Sequence, residues 1–137
     1  MVMGIYQRIE IAKKTLGRTN CGGTALFIVG MMPRDEEVDI VPTLDYCSNP
    51  NPPPLRYFGE LEQLAEPREG CLILFRHKVM NNFPQHTAVV ISTKKGLQVV
   101  SRPQPGEGIP LIFQGLDECL QHARRMNEIV EYYLPAL

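Results

Sequence analysis

Three apolar runs between residues 70 and 102 constrain the fold more than any other feature of the chain. They are GCLILF (70–75), HTAVVIS (86–92) and GLQVVSR (96–102). Their richness in branched side chains marks them as buried strands. KKG separates the second run from the third, and a tight turn there predicts that 86–92 and 97–102 pair antiparallel. The connection RHKVMNNFPQ, between the first run and the second, is polar and too long for a two-residue hairpin loop. IVEYYLP (129–135) reads as a last strand.

Helical spacing appears elsewhere. Ile5, Ile9, Ala12 and Leu16 predict a first helix over 4–17, with Gly17 as its stop. A second helix is expected to begin near Cys21, capped by Thr19 or Asn20, with ALFIV as its buried face and Gly30 to Pro33 ending it. GLDECLQHARRM (115–126) suggests a third, with Leu116, Cys119, Leu120 and Ala123 inward. LRYFGELEQLA (55–65) reads as a short helix ending before Pro67. From Asp35 to Leu55 the chain is acidic and then Pro- and Asn-rich, a long extended loop of the kind that often carries function. Helices first and a small antiparallel sheet afterwards define an α+β domain. The 137 residues fit one such domain, 1–137.

Composition excludes several classes. A 44% hydrophobic and 21% charged balance is that of a globular protein. A net charge of −1 gives no overall field for nucleic acid or an acidic membrane, so neither is expected as a partner. No apolar run approaches the roughly 20 residues of a membrane helix. MVMGIYQRIEIAKK lacks the basic-then-apolar order of a signal peptide, so the chain is expected in the cytosol unless a dedicated machine exports it. The four cysteines, at 21, 47, 71 and 119, form no closely spaced pair, so no structural metal is expected. They read as reduced thiols, most of them packing residues.

Cys21 is the exception by its position. In RTNCGGTALFIVG (18–30) it stands between a capping residue and two glycines, where an apolar helix begins. It is either a small residue in a capped turn or a nucleophile whose pKa the helix N-terminus lowers. Gly22 and Gly23 would leave backbone N–H groups uncovered, and those near Cys21 and Gly22 could serve as an oxyanion hole. A base must then come from three histidines. His86, polar at the start of an apolar strand, is the best placed. His77 lies in a solvated stretch, and His122 sits on a helix surface among Gln121, Arg124 and Arg125. An orienting residue on the next strand is Gln98 or Ser101, with Gln98 favoured; strand alternation prevents both from pointing one way.

The order of these features resembles the NlpC-type cysteine peptidases, papain-like enzymes that cut bacterial cell-wall peptides. NCGG is similar to the family's Asp-Cys-Ser-Gly helix start. AKKTLG (12–17) resembles the Ala-x-x-x-Leu-Gly that ends its first helix. GCLILF looks like its Gly-Asp-Leu strand, with Cys71 in place of the Asp, and HTAVVIS looks like its His-Val-Gly-Ile-Tyr strand. Its third polar residue falls about a dozen positions after the His, which lands on Gln98. The family's Tyr-x-x-Gly-Gly stretch before the Cys is missing here.

The resemblance implies a papain-like core with N-terminal helices packed on a small antiparallel sheet. It implies a cysteine hydrolase of peptide or amide substrates, with Cys21 attacking, His86 moving the proton and Gln98 holding the ring, and no metal or organic cofactor. The Pro-rich loop 48–54 and the 77–85 loop would wall the cleft. Beside it stands the alternative of a binding or interaction module, or an exported effector, that keeps the fold without turnover.

Overall fold

The computed structural model describes residues 3–38, 61–77 and 84–135. Cys47, the Pro-rich loop 48–54 and residues 78–83 of the 77–85 loop lie outside them. In chain order the elements are α1 (Ile5–Lys14), β1 (Arg18–Thr19), α2 (Cys21–Ile28), β2 (Glu62–Leu64), β3 (Leu72–His77) and β4 (Pro84–Thr93). There follow β5 (Gly96–Ser101), β6 (Gly106–Glu107), β7 (Ile112–Gly115), α3 (Leu116–Arg125) and β8 (Glu128–Leu134). β1 and β6 form a small pair of their own; the other six make one sheet in the order β2-β8-β3-β4-β5-β7. Every neighbouring pair in it is antiparallel.

The three apolar runs become β3, β4 and β5, at the centre of that sheet. The β4–β5 turn closes over Lys94 and Lys95, with Thr93 opposite Gly96. Gly96 has φ +98°, a backbone state that favours glycine, and the Thr93 hydroxyl donates to its carbonyl at 3.0 Å. Because strand side chains alternate, each central strand feeds two cores. Leu72, Leu74, Val89, Ile91 and Val100 pack with α1 and α2 on one face. Ile73, Phe75, Ala88, Val90 and Val99 pack with Leu116, Cys119 and Ala123 of α3 on the other. The result is an α+β domain whose sheet is covered on both faces.

α2 is buried over Gly22 to Ile28, as a helix apolar on all sides must be. Its N-cap is Asn20, whose side chain accepts from the Gly23 N–H at 2.8 Å. The same side chain donates to the Val38 carbonyl at 2.6 Å, tying the 35–38 segment across the helix start. Arg8 of α1 donates to the Phe27 carbonyl at 3.0 Å and satisfies the other end. α3 carries Asp117 and Glu118 in its first turn and His122, Arg124 and Arg125 in its last, the arrangement its dipole favours.

A buried ion pair joins these layers. Arg102, just past β5, is 1% exposed. Its guanidinium donates to Asp35 at 2.6 Å, to the Ala12 carbonyl at 3.1 Å, to Thr24 Oγ1 at 3.2 Å and to the Ile109 carbonyl. Thr24 in turn donates to the second Asp35 oxygen at 2.7 Å. Both charges are thus paired and hydrogen-bonded, which is what makes their burial tolerable.

Two sequence expectations need correction. The described part of the 55–65 helix is a strand: Glu62–Leu64 pairs with Tyr132–Leu134 of β8, and that pairing overrides local helical preference. α1 stops at Lys14 with Thr15 extended as its cap, so Leu16 is 81% exposed rather than packed.

Candidate functional site

Cys21 occupies the first position of α2, over the face of the sheet that packs α1 and α2, and is half-buried. Its sulfur accepts backbone N–H groups of Thr87, Gly22 and Cys21 itself. These donors favour the thiolate, yet burial outweighs them and pushes the thiol pKa up from its ordinary value. The helix N-terminus is present, and burial acts against the thiolate that it would favour.

The backbone at this turn is also more occupied than the glycines suggest. The Gly23 N–H is taken by Asn20, and a Cβ at Gly23 would collide with the Glu36 carbonyl. Gly22, expected to offer an oxyanion donor, is buried and turns its N–H to the Cys21 sulfur. Gly23 therefore serves the close approach of the 35–38 segment rather than that of a substrate.

His86 is not beside Cys21. It stands opposite Phe75 in the β3–β4 ladder, and the two rings lie 6.0 Å apart on the α3 face. Its neighbour Thr87 stands opposite Leu74, on the α2 face. One residue of alternation thus puts the sulfur and the imidazole on opposite sides of the sheet. Burial lowers the His86 pKa to about 4, so the ring is neutral near pH 7 and holds a proton poorly. The expected Cys21–His86 pairing is absent from this arrangement.

Gln98 does not orient His86 either. It is opposite Ile91, on the α2 face and four residues along β4 from Thr87, a distance of ~13 Å at strand rise. Ser101, the alternative, lies on the α3 face and lines the same cavity as His86. The other histidines are on that side too. His122 lines the cavity from α3, while His77 ends β3 opposite Glu128; both imidazoles act to lower the Glu128 pKa against the rise that burial causes.

This cavity, of about 480 Å³, lies between the sheet and α3. Phe75, Val99 and Ile112 supply apolar wall; His86, Ser101, Gln114 and Cys119 supply the polar groups within it. The Cys119 thiol donates to Gln114 Oε1 at 3.6 Å, and burial, then the Glu118 charge, raises its pKa. Cys71 is a fully buried packing residue of the α3-side core. Among the described residues no cluster of His, Cys, Asp and Glu could hold a metal ion, and no helix is long and apolar enough to cross a membrane.

Sequence reasoning missed the Arg102–Asp35 pair and this cavity. An Arg directly after an apolar strand and an Asp in an acidic stretch were the available signals for the pair. Compared with family models, curated proteins and solved structures, the chain matches none.

Proposed function

We propose that the chain is a binding module on a papain-like layout, without turnover at Cys21 in the strand register described above. One observation carries the reading: the His86 ring sits beside Phe75 on the α3 face of the sheet, while Cys21 sits at the start of α2 on the other. A thiol whose pKa is raised, with each of the three histidines on other parts of the sheet or on its far side, lacks a histidine base to activate it. The test is turnover of a panel of peptide and amide substrates by the wild type and by Cys21→Ala. No Cys21-dependent turnover is expected; hydrolysis that disappears in Cys21→Ala overturns the reading.

A second reading, a cysteine peptidase or amidase with Cys21 as nucleophile, draws on one irregularity. The β3–β4 register shifts between Phe75 and Arg76: Phe75 faces His86, whereas Arg76 faces Pro84. Gln85 is therefore an extra residue, a β-bulge. Were the extra residue Thr87 instead, His86 would stand opposite Leu74 and turn toward α2. A His86→Cys variant distinguishes the two, since a disulfide between positions 21 and 86 requires the shifted bulge.

A further inference from the structure

We propose that the cavity under α3 binds a small uncharged aromatic carboxamide, hydrogen-bonded by the Ser101 hydroxyl and the His86 imidazole. This rests on the binding-module reading and names its ligand class.

Ser101 is 3% exposed, lines the cavity, and its hydroxyl makes no hydrogen bond among the described residues. His86 shares the cavity and has the Phe75 ring as its aromatic neighbour, with no hydrogen bond to its nitrogens among the described residues. Buried polar groups are ordinarily paired, so the hydroxyl of the buried Ser101 and the half-buried His86 ring, opening on one space, mark where a ligand's polar atoms belong. A volume of about 480 Å³ is within the range of small-molecule sites.

The chemistry of the wall selects the class. A neutral imidazole offers one N–H and one lone pair, and a hydroxyl offers a donor and an acceptor. A carboxamide answers both, with a carbonyl oxygen and N–H groups in one plane. His86 is neutral and the Cys119 thiol is protonated, so neither of these two groups supplies a counter-charge to a ligand ion placed against it. Glu118, His122, Arg125 and Glu128 line the same cavity from α3 and β8; the first three are exposed and Glu128 is half-buried, and the Glu118 carboxylate lies near Gly115. The apolar body of the ligand would lie against Phe75, Val99 and Ile112.

Benzamide, benzoate and benzylamine share a ring and differ in the charge of one small group, so they are the probes. Backbone amide shifts of the full chain are followed by NMR at pH 7 during titration with each. Benzamide is expected to cause saturable shifts at His86, Ser101 and Cys119, and to bind at least tenfold more tightly than either ion. Ser101→Ala is expected to weaken benzamide several-fold while leaving the rest of the spectrum in place. Absence of saturable benzamide shifts, or equal binding of benzoate or benzylamine, overturns the proposal even if Ser101→Ala fails to fold. Either failure leaves the reading of Cys21 standing, since that is decided by turnover.

Discussion

Thr87, whose backbone N–H bonds the Cys21 sulfur, pairs with Leu74 on the α2 face of the sheet, and His86, one residue earlier, pairs with Phe75 on the α3 face. Whether an apparent catalytic cysteine has a base is thus decided by a single step of strand alternation. Four further consequences can be measured.

Thiol reactivity should follow the burial of Cys21 rather than its helix N-terminus. The rate of alkylation by iodoacetamide is expected to rise with pH along a curve whose midpoint lies above that of an ordinary thiol. His86→Ala should leave that midpoint where it is. A reactive plateau extending below pH 7 and lost in His86→Ala would speak for a dyad.

His86 should make the fold sensitive to acid. Its folded pKa of about 4 lies below its ordinary value of 6.5, so between these the unfolded chain binds the proton and the native state does not. The corresponding stability is fully present above pH 6.5 and is lost as pH falls toward 4, at most about 3 kcal/mol. Urea denaturation of wild type and His86→Leu across this range isolates the effect: the difference between the two curves should change with pH in that window and be flat above it.

Arg102 and Asp35 should depend on each other. Removing either partner leaves a buried charge unpaired, so Arg102→Met and Asp35→Ala are each expected to cost about 3–5 kcal/mol. The double variant should lose clearly less than the sum of the two. Chemical denaturation of the four proteins in this cycle gives the comparison, and simple additivity would contradict the paired burial.

Gly23 should resist a change that helix propensity alone would favour. Alanine is better than glycine inside a helix by about 1 kcal/mol. At this position its Cβ meets the Glu36 carbonyl, so Gly23→Ala is expected to destabilise and to loosen the 35–38 segment. Asn20→Ala should release the same segment and cost about 1–2 kcal/mol through the lost cap. Hydrogen exchange at Glu37 and Val38, whose N–H groups bond Arg18 and Asn20, reports the loosening directly.

Much of this fold was legible in the sequence. Branched apolar runs gave β3, β4 and β5 with their antiparallel turn, and the Leu116, Cys119 and Ala123 spacing gave the inward face of α3. Asn20 was among the expected caps of α2. The short strands β1, β2, β6 and β7 were not visible, since partners distant in the chain define them rather than their own composition. The face of His86 was hidden for a more specific reason. In HTAVVIS both alternating sets contain apolar residues, Ala88 and Val90 on one side and Val89 and Ile91 on the other. Nothing in that pattern says which set meets α2, and the bulge at Gln85 depends on β3. Arg102 was hidden likewise, because its partners at 12, 24, 35 and 109 converge only in the fold.

The most direct test of the separation between Cys21 and His86 is a nuclear Overhauser measurement on the His86 ring protons. Contacts to the Phe75 side chain, and none to the Cys21 β protons, are expected. A cross-peak between the His86 ring and the Cys21 β protons would contradict the account.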